Sequence, residues 1–150
     1  MKTDWLRASL AAAVGLVLTG TALAQKTQLT VYTALETDQI KAYENGFTKV
    51  NPNIELKWVR DSTGVITAKL LAEKNNPQAD VVMGVAASSL ALLDSNGMLI
   101  PYAPLNLDAI MNQYRDKKSP PAWFGMDVWG ATVCFNTVEA QKKNLSLIHI

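Results

Sequence analysis

Asp61-Ser62-Thr63-Gly64 puts two hydroxyls and a glycine where a helix is expected to begin. In that setting backbone N–H groups and side-chain O–H groups converge on an oxyanion, and the positive end of the helix dipole adds to the attraction. The same residues also make an ordinary helix cap, and the pattern alone leaves both readings open. Ser88-Ser89 repeats the theme more weakly, with capping the plainer explanation. Trp123, Phe124, Asp127 and Trp129 crowd one short stretch of a chain with only 7% aromatic residues. A carboxylate rimmed by aromatic surface suits a ligand ammonium through ion pairing and cation–π attraction. The alternative is that Trp123 and Trp129 are packing residues where two lobes join. Glu36 offers a second carboxylate, or simply a favourable charge near the first turn of the following helix.

Covalent chemistry lacks material. There is one histidine, His149, and one cysteine, Cys134, which lies among Ala131, Val133 and Phe135 and reads as an inert buried thiol. A histidine-based zinc site, a Ser/His/Asp triad and an internal disulfide are therefore not expected. No G-x-x-x-x-G-K-[ST] or G-x-G-x-x-G run is present to cradle a nucleotide. In the aspartic-protease loop the carboxylate directly precedes Thr-Gly or Ser-Gly, whereas here Ser62 intervenes. Glu36 and Asp127 lie far apart, with no neighbouring base or nucleophile to complete a catalytic pair. The residues point to binding, with no catalytic set, no metal site and no cofactor.

These positions need a scaffold, and the hydrophobic periodicity supplies one. Leu29 to Thr33 is β-prone, and Ile40, Tyr43, Phe47 and Val50 follow at helical spacing over Asp38 to Val50. Asn51-Pro52-Asn53 breaks the chain before Ile54, Leu56 and Trp58 alternate as a half-buried strand. A helix after Gly64 carries Ile66, Leu70 and Leu71 inward and ends at Asn75-Asn76-Pro77. Asp80 to Gly84 is a continuous apolar run, the mark of a strand covered on both faces, and Ser88 to Asn96 is a helix closed by Gly97. Three strand–helix units in succession predict an α/β fold with a mainly parallel sheet flanked by helices. In such a sheet ligands collect where strands hand over to helices, which singles out residues 33–36, 61–64 and 86–89, with 123–129 preceding a further strand. Beyond Met98 the prolines at 101, 104, 120 and 121 punctuate a connecting region. It holds one predicted helix from Leu107 to about Tyr114, a strand from Ala131 to Phe135, and a helix capped by Thr137.

The first 24 residues read as a secretory signal: Lys2 and Arg7, an apolar run from Ala8 to Leu18, then Ala22-Leu23-Ala24. That run falls well short of the roughly 20 residues a membrane-spanning helix needs. The remaining residues carry equal numbers of basic and acidic side chains and no Lys/Arg cluster, which argues against nucleic acid or an anionic membrane as partner. The expected product is exported and monomeric. The apolar ending Ser146-Leu147-Ile148-His149-Ile150, just after a helix begins, suggests a truncated gene product with read-through residues at its end.

Leu29-Thr30-Val31-Tyr32-Thr33-Ala34-Leu35-Glu36, Trp58-Val59-Arg60-Asp61-Ser62-Thr63-Gly64 and Ala79-Asp80-Val81-Val82 together resemble the opening of periplasmic solute-binding proteins of ABC importers. The branch in question includes ferric-iron binders and 2-aminoethylphosphonate binders. Pro120 to Asp127, continuing to Cys134-Phe135-Asn136-Thr137, is similar to the aminoethylphosphonate group in particular. Where iron binders place a histidine after the first strand this chain has Glu36, and where they place a glutamate after the third strand it has Val85, which offers ferric iron no oxygen ligand.

The resemblance implies a two-lobed protein with a cleft that closes on its ligand. Residues 1–24 are then the signal peptide, 25–127 a partial first lobe, and 128–150 a crossing strand and the start of a largely missing second lobe. Ser62, Thr63 and Gly64, with Thr33 and Ser88, would hold the phosphonate oxygens, while Glu36 or Asp127, with Trp123 nearby, would meet the ammonium. The partners implied are a small-molecule phosphonate and an inner-membrane ABC permease, and the location is the periplasm. Binding of ferric iron, another small anion or a polyamine is the alternative within the class; an exported hydrolase and a purely structural exported domain are the alternatives outside it.

Overall fold

The computed structural model describes residues 26–130 and 132–146. The expected signal peptide, Ala131 and His149 lie outside the described residues. Within them no helix is long and apolar enough to cross a membrane. The chain divides after Val85 into two compact units.

The first unit is built on β1 (Thr27–Thr33), α1 (Thr37–Val50), β2 (Ile54–Arg60), α2 (Thr63–Ala72) and β3 (Val81–Met83). The strands form a parallel sheet in the order β2-β1-β3, so β1 is central. The register pairs Val31 with Trp58 and Val81, and Thr33 with Arg60 and Met83. A parallel neighbour cannot be reached by a tight turn, and α1 and α2 provide the crossovers. The α/β expectation holds, with boundaries within a few residues of those read from the periodicity.

Burial is distributed differently from the sequence expectation. β1 is the strand covered on both faces at its C-terminal end, where Val31, Tyr32 and Thr33 are all buried. The apolar run at 81–83 forms an edge strand, and Val81 is exposed. Edge position outweighs composition here. Asp80 fastens its start, taking the Thr30 N–H on Oδ2 at 2.8 Å while its own N–H donates to the Thr30 carbonyl at 2.9 Å. On α1 only Ile40 of the four predicted apolar positions is buried, and Val50 is largely open to solvent.

Tyr32, Lys69 and Glu73 clamp α2 to β1. The Tyr32 hydroxyl donates to Glu73 at 3.0 Å, Lys69 Nζ pairs with the same carboxylate, and that ammonium lies 5.3 Å from the Tyr32 ring centroid. The Lys69 ammonium holds the Glu73 carboxyl below the usual range, while burial pushes the Tyr32 hydroxyl up. A carboxyl depressed in the folded state contributes stability above its unfolded pKa and loses it as pH falls through the folded value. Acidification through the carboxylate range is therefore expected to lower the urea midpoint of the wild type more than that of Glu73→Gln, a comparison two denaturation series would make.

The second unit begins with α3 (Ala87–Ser95). Gly97, at φ +69°, closes it as expected: its N–H donates to the Asp94 carbonyl at 2.8 Å and the Met98 N–H to the Leu93 carbonyl at 3.0 Å. The predicted helix at 107–114 is instead two single 3-10 turns, Leu107–Ala109 and Asn112–Tyr114. Asn106 supplies no side-chain cap, and Ile110 is extended, which interrupts the i→i−4 ladder. Arg115 ties the turns together by donating to the Leu107 carbonyl at 3.0 Å and to Asn112 Oδ1. Asp116 organises the following loop. Its Oδ2 accepts the Ala122 N–H at 3.0 Å, which holds the carboxyl below its usual range.

No strand forms over 132–136, and Cys134 is exposed, contrary to the buried β-strand expectation. An apolar run becomes a strand only against a partner, and none pairs with this one among the described residues. α4 (Thr137–Lys142) follows, capped by Asn136, whose Oδ1 accepts the Glu139 N–H at 3.1 Å; Thr137 is the first helical residue.

Candidate oxyanion site at the C-terminal edge of the sheet

In the first unit the chain leaves β1 at Thr33 and β2 at Arg60, residues paired across the sheet, and enters α1 and α2 within a few residues. Five of the predicted positions, Thr33, Glu36, Ser62, Thr63 and Gly64, therefore meet at one edge. The remaining three, Ser88, Trp123 and Asp127, belong to the second unit.

Thr33 shapes this edge from beneath. It is fully buried, its Oγ1 accepts the Leu35 N–H at 3.1 Å, and its carbonyl accepts the Asp61 N–H at 3.1 Å. The side chain expected to face a ligand is thus buried beneath the edge, where its oxygen supports the β1–α1 turn. Gly84 supports the same turn from β3. It has φ +66°, and a Cβ there would lie 2.5 Å from Leu35 Cδ2.

Ser62 is the cap of α2, and its Oγ accepts the Val65 N–H at 3.5 Å, a long bond. The capping reading holds, and the side chain remains exposed. The Ser62 N–H donates to Asp61 Oδ1 at 2.7 Å. The first two amides of α2, on Thr63 and Gly64, have no acceptor among the described residues, as helix geometry requires. Gly64 has open space around it, with no atom beyond its chain neighbours and its own helix backbone within 4 Å of a would-be Cβ. Two unpaired amides, a dipole equivalent to about half a positive charge and an unobstructed approach make this a surface for an anion.

Arg60 is the residue that sequence reasoning missed as a participant. Its Nε donates to the Leu35 carbonyl at 2.6 Å, and its Nη2 donates to Glu36 Oε2 in an ion pair. The carboxylate assigned to a ligand ammonium is therefore already paired with a cation of the protein. The Arg60 and Glu36 side chains are 41% and 72% exposed. An ion pair this open to water is worth about 0–1 kcal/mol. The signal available in the sequence was position: an arginine as the last residue of an alternating strand, directly before the Asp-Ser-Thr-Gly junction.

In the second unit Ser88 is an exposed residue of α3's first turn. The cap position is Ala86, without a side-chain bond, so Ser88 does not serve as the expected cap. Trp123 is half-buried in a loop pairing, its carbonyl accepting the Asp116 N–H at 3.0 Å, whereas Trp129 is exposed. Asp127 is exposed and joins no ion pair among the described residues. A cavity of about 520 Å³ is lined by Asn112, Arg115, Lys117, Lys118 and neighbours, and includes none of the eight predicted residues. Its Arg115 and Lys118 are committed, to Asp108 at 3.8 Å and to Asp94 respectively.

No family model matches the chain. A probable ABC transporter periplasmic-binding protein, y4fP of Sinorhizobium fredii, is 42% identical over 62 residues, which is 41% of this chain and 17% of that protein. The periplasmic binding protein AfuA of Actinobacillus pleuropneumoniae, with exogenous fructose 6-phosphate bound, superimposes with a TM-score of 0.55 at 30% identity, covering 61% of this chain and 28% of that one. The periplasmic binding protein P5PA gives a TM-score of 0.54 at 28% identity, over 59% and 28% of the two chains. The fold is that of a periplasmic-binding-protein lobe. These relatives indicate a periplasmic binding protein of ABC transporters. The chain spans less than a third of each of them.

Proposed function

We propose that this chain is the first-lobe portion, residues 25–127, and the opening of the second lobe, 128–150, of a periplasmic solute-binding protein that delivers 2-aminoethylphosphonate to an inner-membrane ABC permease. The observation that carries the reading is the junction of β2 and α2, where the amides of Thr63 and Gly64 are free and the Ser62 side chain is exposed at the start of the helix, with Arg60 the last residue of the strand before it. A phosphonate group has the charge and the acceptor oxygens to use all of them. AfuA, at 30% identity, holds a phosphate monoester, which supports an organic phosphate or phosphonate as the ligand class. In this reading Ser88 is the candidate for a further donor, and Trp123 and Asp127 are the candidates for the amine.

Isothermal titration of the full-length, two-lobed protein with 2-aminoethylphosphonate, fructose 6-phosphate, inorganic phosphate, ferric citrate and spermidine tests this directly. Saturable heat with 2-aminoethylphosphonate is expected. Heat with ferric citrate alone would overturn the assignment, and release of inorganic phosphate from the phosphonate would replace a binder by a hydrolase.

A further inference from the structure

We draw no further inference here: the strongest candidate, the cavity of the second unit lined by Asn112, Arg115, Lys117 and Lys118, carries nothing, because Arg115 and Lys118 are held by the protein's own Asp108, Asn112 and Asp94 and no unpartnered buried polar side-chain atom among the described residues of that unit faces it to mark a ligand.

Discussion

Gly84→Ala is expected to destabilise the protein by about 2–5 kcal/mol, although the substitution adds a single methyl group at the end of an edge strand. Two costs combine. Gly84 has φ +66°, where an L-residue pays about 1–2 kcal/mol. The new Cβ would also lie 2.5 Å from Leu35 Cδ2 and closer still to Cγ, an overlap costing about 1–3 kcal/mol in a packed region. Leu35 is buried and belongs to the turn whose carbonyl anchors Arg60, so relief by movement would disturb the candidate site itself. Urea denaturation of wild type, Gly84→Ala, Leu35→Ala and the double variant would separate the two terms. In the Leu35→Ala background the cost of Gly84→Ala should shrink to the backbone share, about 1–2 kcal/mol. An unchanged cost would mean that the Leu35 contact is not the cause.

Gly64→Ala is expected to do the reverse, leaving the fold intact or slightly firmer while lowering affinity for 2-aminoethylphosphonate by about 10- to 100-fold, or ~1.4–2.7 kcal/mol. Alanine is the better helix former by roughly 0.5–1 kcal/mol, and at Gly64 a Cβ meets nothing beyond its own helix backbone. Helical Cα–Cβ bonds tilt toward the N-terminus, so the methyl enters the space in front of α2 where the oxyanion would approach the amides. A melting temperature at or above that of the wild type together with weakened binding would locate the ligand at this turn. Full affinity in a folded variant would place the ligand elsewhere.

The architecture was legible because strand and helix periods differ sharply and the breaks at Pro52, Pro77 and Gly97 fall between elements. Which strand is central was not, since Val81-Val82-Met83 is more apolar than Leu29 to Thr33 yet stands at the edge; strand order is a long-range property that composition does not encode. Residues 107–114 and 132–135 misled for a related reason, because short apolar stretches take regular structure only with caps or strand partners that their own composition does not supply. The start of α2 at Ser62, Thr63 and Gly64 was readable from local chemistry alone, as a cap sequence before a helix. The pairing of Glu36 with Arg60 was not, because the two are 24 residues apart and only the parallel register brings them together. Thr33 illustrates the same limit: a hydroxyl at a strand end looks available until its burial is known.

The central claim is that the free amides at the start of α2 grip a phosphonate without altering it. The most direct measurement is a titration of isotope-labelled full-length protein with 2-aminoethylphosphonate, following backbone amide resonances and the phosphorus signal of the ligand together. The account predicts the largest shifts at the Thr63 and Gly64 amides and at the Arg60 Nε–H, with the phosphonate recovered unchanged. Saturable shifts elsewhere with those three signals unmoved, or loss of the phosphonate signal during the titration, would contradict it.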